Sequence, residues 1–202
     1  MTPFTTAHGI AAALLRENID TDILIPSREI TSPAREGYGP KLFTSWRYLA
    51  SGGEDPDFVL NREPWRSASI LITGANFGCG SSREMAVWAL AQFGFRALIA
   101  PSFGSIFRTN CLRNGLLPVT LPADAVATLG ALASAQAITV TVDLLACEVR
   151  AQGGVRWPFE MDEHEREMLL TGLDAIDRTW QLRAEITAFE AADRAARPWV
   201  WR

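Results

Sequence analysis

Cysteine is scarce in this 202-residue chain. Its three cysteines, Cys79, Cys111 and Cys147, stand 32 and 36 positions apart with no CxxC pair. An odd number at that spacing argues against a disulfide framework and against a zinc or iron–sulfur site built by this chain alone, so no metal ligands and no cofactor ligands are expected in it. A basic excess is missing too. Nineteen Lys and Arg face twenty-three Asp and Glu, a net charge of −4, which leaves no cationic footprint for nucleic acid. No apolar run approaches the roughly 18 residues of a membrane-spanning helix. The opening stretch MTPFTTAHGIAAALLRENIDTD lacks a cationic n-region and a cleavage pattern. These absences lead to the expectation of a cytoplasmic protein with no membrane contact.

What is present is enough to fold. Hydrophobic residues make up 48% and charged residues 21% of the chain, a composition that supports a buried core and excludes disorder as the main state. The length suits a single domain over residues 1–202, with a core at about 4–160 and a helical C-terminal extension at about 161–202. The first third is loop-rich, and IDTDILIPSREITSPAREGYGPKLF should punctuate short strands rather than form a long helix. Residues 68–73 (ASILIT) are a short apolar run typical of a strand buried on both faces. A glycine-rich turn follows, then a helix ending at Gly94, then a second buried strand at 96–101. Strand, turn, helix, strand is a βαβ unit. A second unit comes at once, with a helix over 102–114 closed by Gly115 and a strand at 116–121. A small amphipathic helix (ADAVATLGALASA), paired strands at 138–142 and 147–151, and a helical tail complete an α/β chain with a mixed sheet.

The turn at 74–84, Gly-Ala-Asn-Phe-Gly-Cys-Gly-Ser-Ser-Arg-Glu, holds the most chemistry. Ser81 and Glu84 stand in capping-box spacing, which predicts the first helical turn there. A polar helix N-terminus opening onto the carboxyl end of a strand offers free N–H groups and a favourable dipole to an anion. Arg83 adds a fork that grips a carboxylate through two hydrogen bonds. Taken alone, the same residues also fit a tight turn with an ordinary cap, and the pattern matches neither GxSxG, a phosphate loop nor GxGxxG.

Other candidates are weaker. His164 among Glu163, Glu165 and Glu167 reads as a solvated charged face, and His8 offers no partner. Asp20 and Asp22 suit capping and turn roles. Cys79 fits a small buried thiol as well as a reactive one. Trp199 and Trp201 either dock on a partner or fray.

NFGCGSSRE (76–84) resembles the signature of the 3-isopropylmalate dehydratase small-subunit family, relatives of the swivelling domain of aconitase. NIDTDILIP (18–26), GYGPKLFTSWRYL (37–49), DFVLN (57–61), APSFGSIFRTNCLRNGLLP (100–118) and GLDAIDRT (172–179) resemble, in order, further blocks of that family. The collinear similarity spans about residues 4–190 and is far more specific than any single motif. One departure lies just behind the turn: the family's Arg-Glu-His-Ala-Pro-Trp reads Arg-Glu-Met-Ala-Val-Trp here, with Met85 and Val87.

The resemblance implies an aconitase-like swivelling domain that closes over a larger partner subunit holding a [4Fe–4S] cluster. Ser81 would be the catalytic base that removes the proton α to a carboxylate of a small dicarboxylate substrate. Ser82 and Arg83 would bind substrate carboxylate, and the loop 27–41 would line the substrate's variable side chain. The implied reaction interconverts 2- and 3-isopropylmalate through 2-isopropylmaleate, a step of leucine biosynthesis, by a heterodimeric hydro-lyase inactive without its large subunit. The alternatives are a paralogous subunit for another 2-hydroxy diacid of methylmalate type, a non-catalytic anion-binding regulatory partner, and a stand-alone serine hydrolase.

Overall fold

The continuous apolar runs become the middle of the molecule. In the computed structural model, which describes residues 1–201, the chain order is β1 (Thr6–Leu14), α1 (Thr21–Leu24), α2 (Thr44–Arg47), β2 (Ile70–Thr73), α3 (Glu84–Phe93), β3 (Ala97–Ala100), α4 (Ser105–Arg113), β4 (Leu117–Thr120), α5 (Ala123–Ala135), β5 (Thr139–Asp143), β6 (Glu148–Ala151), β7 (Arg156–Pro158), α6 (Glu163–Thr171), α7 (Ala175–Gln181) and α8 (Arg183–Ala196). The seven strands form one mixed sheet in the order β4-β3-β2-β1-β5-β6-β7. β1 to β4 pair in parallel and β5 to β7 antiparallel, with β1 joining the two halves. The expected α/β class and both βαβ units are present.

The period of two along a strand sends alternate side chains to opposite faces. Ile70, Ile72, Ala97 and Ile99 enter one core with Val126 and Leu129 of α5. Leu71, Leu98 and Ala100 enter a second core with Val87 and Leu90 of α3 and Phe107 of α4. Every residue of β2 and β3 is buried because helices cover both faces of the parallel half.

The first third departs from the expectation of short strands. Residues 20–67 form α1, α2 and several 3-10 turns, and the strand of this region is β1, the longest in the sheet. Its sequence, TAHGIAAAL, is poor in the β-branched and aromatic residues that mark strands. Small residues serve a purpose there: a Cβ on Gly9 would lie 2.2 Å from Ser69 Oγ, so any side chain at this position would displace the Ser69 hydroxyl.

Leu169 of α6 is fully buried against the sheet, and Phe4 N–H donates to its carbonyl at 2.8 Å. α7 and α8 bury no residue completely. At the chain end Trp201 folds back on α8, its Nε1 donating to Asp193 at 2.8 Å, while Trp199 is exposed. A chain ending after residue 182 should therefore unfold in urea within about 0.5 kcal/mol of the full chain. Leu169→Ala should lose about 2–5 kcal/mol. Comparable losses from both changes would contradict this placement of the core.

Candidate active site

Three loops leave the carboxyl ends of β1, β2 and β3, and their backbones are stitched to one another. Asn18 N–H donates to Ala75 O at 2.9 Å, Gly78 N–H to Ile19 O at 2.7 Å, and Thr21 N–H to Cys79 O at 3.0 Å. On the other side Phe77 N–H donates to Ser102 O at 3.1 Å and Gly104 N–H to Phe77 O at 2.9 Å. Side chains add to the seam: Asn76 N–H donates to Ser102 Oγ and Asn76 Nδ2 to Asn18 Oδ1, both at 2.8 Å. Glycine is required where the loops cross. A Cβ on Gly104 would lie 2.6 Å from Gly78 O, and Gly78 itself has φ +72 with its Cβ position 2.2 Å from the Phe107 ring.

This seam sets where the helix behind the turn begins. The expected capping box does not form, and α3 starts at Glu84 with Arg83 as its N-cap and no side-chain cap bond. Thr21 Oγ1 captures the Ser81 carbonyl at 2.8 Å, the chain bends at Gly80 with φ +87, and Arg83 is still extended, so the helical turn does not begin at Ser81. Glu84 instead accepts from Asn114 Nδ2 at 2.9 Å, which ties α3 to the end of α4. The helix is largely buried, as its composition suggests, with Met85 partly buried and Val87 wholly so.

Ser81 is exposed and lines a cleft of about 310 Å³ together with Asn76, Cys79 and the first turn of α4, Ser105 to Phe107. Its hydroxyl makes no hydrogen bond among the described residues. α4 begins three residues later than the sequence suggests, because Ser102 and Gly104 are engaged by Phe77. The amides of Ser105, Ile106 and Phe107 have no backbone acceptor among the described residues, so the N–H-rich wall facing Ser81 belongs to α4 rather than to α3.

Ser82 is exposed beside the cleft without lining it. Arg83 turns toward α1, where Nη1 donates to Ile25 O at 3.3 Å and pairs with Asp22. No hydrogen bond among the described residues uses its Nε or Nη2, the edge suited to a two-pronged carboxylate. The Arg83 guanidinium holds the Asp22 carboxyl below the usual aspartate range, by hydrogen bond first and by charge second. Asp20 caps α1 as expected, accepting from Ile23 N–H at 2.8 Å, whereas Asp22 acts through Arg83.

Other candidates lie elsewhere. His8 sits on β1 with its ring against Thr141 Oγ1, and His164 is exposed on α6, so neither histidine forms a hydrolase pair with Ser81. The charged face around His164 is paired rather than simply solvated, with Glu165 gripping Arg108 through two 2.6 Å bonds. Burial, with the Asp20 charge behind it, pushes the Cys79 thiol up, which leaves it protonated at neutral pH and unlike an activated nucleophile. Cys111 is fully buried in α4, and its thiol is pushed well above its ordinary value by burial. Cys147 precedes β6, far along the chain. Among the described residues no three His, Cys, Asp or Glu side chains are gathered as metal ligands, so these residues do not fit an iron–sulfur cluster. The roles of Asn18, Thr21, Asp22 and Ser102 escape residue-by-residue reading; their signal is the block similarity at 18–26 and 100–118.

The sequence profile of the aconitase C-terminal domain family matches residues 1–124. The 3-isopropylmalate dehydratase small subunit of Cupriavidus necator is 53% identical over 204 residues, covering 99% of this chain and 98% of that one. The protein of the same name from Bacillus licheniformis is 49% identical over 190 residues, 94% of this chain and 96% of its own length. A solved 3-isopropylmalate dehydratase from Methanocaldococcus jannaschii superposes with a TM-score of 0.66 at 26% identity, covering 92% of this chain and 99% of that chain.

The Asp22–Arg83 pairing has a pH signature. Its folded-state pKa is depressed, so the pairing stabilises fully at neutral pH and is lost only as pH falls through that lowered value. Titrating the Asp22 carboxyl carbon by NMR should give a midpoint below the usual range, rising toward it in Arg83→Ala. An unchanged midpoint in the variant would refute the pairing.

Proposed function

The chain belongs to the family of 3-isopropylmalate dehydratase small subunits, and on that premise we propose that it is the small subunit of a hydro-lyase interconverting 2- and 3-isopropylmalate through 2-isopropylmaleate in leucine biosynthesis. The observation that carries the reading is the unengaged Ser81 hydroxyl in a cleft whose opposite wall is the open first turn of α4. A serine base needs help, because an alkoxide is unstable in water. Free amides and the positive end of a helix dipole favour the anionic form.

The chemistry assigned to this chain is proton abstraction. Ser81 Oγ takes the proton α to a substrate carboxylate as the hydroxyl leaves the neighbouring carbon, and the electron pair of the broken C–H bond forms the double bond. Returning that proton to one carbon of the double bond and hydroxide to the other, in the opposite sense, gives the isomer. Arg83 binds a carboxylate through Nε and Nη2 while Asp22 and Ile25 O hold Nη1, so the guanidinium is presented in a fixed orientation. Ser82 adds a hydroxyl donor to the same carboxylate. A [4Fe–4S] cluster, which the family resemblance assigns to a large partner subunit, would supply the Lewis acid for the departing hydroxyl.

The test is to reconstitute the chain with a cluster-bearing large dehydratase subunit and follow the absorbance of the unsaturated diacid. Ser81→Ala should lower kcat by about 10²–10⁴-fold, and retained turnover would remove Ser81 as the base. Arg83→Lys should raise KM about tenfold or more, because one ammonium does not reproduce the two-pronged grip. Near-normal KM would remove Arg83 from substrate binding.

A further inference from the structure

The end of the chain leaves an apolar seam uncovered. Only Leu182 separates α7 from α8, and α8 packs chiefly on α7 and on the residues that follow it. The Arg178–Glu167 ion pair, at 2.7 Å, ties α7 back to α6. Along α7 and α8 runs a groove of about 610 Å³ whose lining includes Ile176, Trp180, Arg183, Ile186 and Glu190. Those five residues follow one another at steps of four, three, three and four, which makes them one stripe along a helical face. Anchors at such spacing suit a helix laid against them.

The stripe is costly to leave in water. Trp180 is 60% exposed and Phe189, one turn beyond Ile186, is 64% exposed. At about 150–250 Å² per aromatic side chain, these two alone leave roughly 200 Å² of ring surface uncovered. Ile176, Leu182 and Ile186 are exposed as well. Together they reach the size of patch that marks a contact surface on a soluble chain.

Charge identifies the occupant. Arg183 and Glu190 lie two turns apart on the stripe, about 10 Å along the axis at 1.5 Å per residue. The Arg183 guanidinium stands 5.3 Å over the Trp180 ring. The ion pairs of this region, Arg178–Glu167 and Arg197–Asp193, leave Arg183 and Glu190 unused among the described residues. A two-fold contact uses the same patch on both copies, so the patch must complement itself. This one does: a second α8 laid antiparallel, with the axis near Ile186 and Thr187, sets Arg183 of each copy opposite Glu190 of the other and brings the two Ile186 side chains together.

We propose that the α7–α8 stripe is a self-association surface, on which α8 of one copy packs antiparallel on α8 of a second copy through two reciprocal Arg183–Glu190 pairs. The surface does not depend on the dehydratase chemistry; in the proposed enzyme it joins two small subunits, each with its own large partner.

The experiment measures the mass of the full chain by analytical ultracentrifugation at about 1–100 µM, the weak end of the range for an interface of modest size. The wild type should pass from monomer to dimer with Kd on the order of 10 µM. Arg183→Glu alone, or Glu190→Arg alone, places like charges together twice and should raise Kd by roughly 100-fold. The chain carrying both changes should recover dimerisation to within about tenfold, and because it holds both substitutions its recovery excludes misfolding as the cause. An equal mixture of the two single variants should also dimerise, since one supplies glutamate and the other arginine at both positions. A wild-type chain that stays monomeric at 100 µM would overturn the proposal. So would a dimer indifferent to either reversal, which places the contact elsewhere. Reversals that instead weaken binding of a large dehydratase subunit would assign the stripe to that subunit and equally overturn it.

Discussion

The interleaving of three loops at the carboxyl ends of β1, β2 and β3 is the constraint on which the site depends. Main-chain hydrogen bonds run from the β1 loop to the β2 loop and from the β2 loop to the β3 loop, so none of the three can move alone. Buried backbone groups must find partners, and here they find them in neighbouring loops rather than in a ladder. Glycine at 78 and 104 makes the approach sterically open. The consequence for chemistry is that Ser81 is held at a fixed place opposite the start of α4, on a rigid frame.

That frame also explains where sequence reading succeeds and where it falls short. β2 and β3 are legible because strands buried on both faces read as short apolar runs, and α3 ends at Gly94 as its composition predicts. β1 is not legible, because its alanines and glycine are chosen for close approach to residue 69 and α5, not for strand propensity. Ser81 and Glu84 have the spacing of a cap, yet Thr21, sixty residues earlier, takes the Ser81 carbonyl and delays the helix. Local spacing carries no information about such a long-range competitor. Arg83 is legible as a fork, while its orientation by Asp22 appears only once α1 is placed beside it.

The proposed function rests on a division of labour between two chains. This chain offers a hydroxyl, an arginine edge and an N–H-rich wall, all on one end of the sheet. In the proposed enzyme the metal chemistry belongs to the other subunit. Departures from the family pattern at Met85 and Val87 fall on the buried side of α3, where they pack against the second core rather than line the Ser81 cleft.

In the proposed enzyme Ser81 moves a proton at a substrate carbon while the rest of the site only binds. Deuterium wash-in from heavy water at the carbon α to the carboxylate, measured on the heterodimer by mass spectrometry, tests it apart from net turnover. Exchange is expected with the wild-type chain, and a loss of about 10²-fold or more with Ser81→Ala at undiminished substrate binding and heterodimer formation. Exchange at the wild-type rate in Ser81→Ala would contradict it.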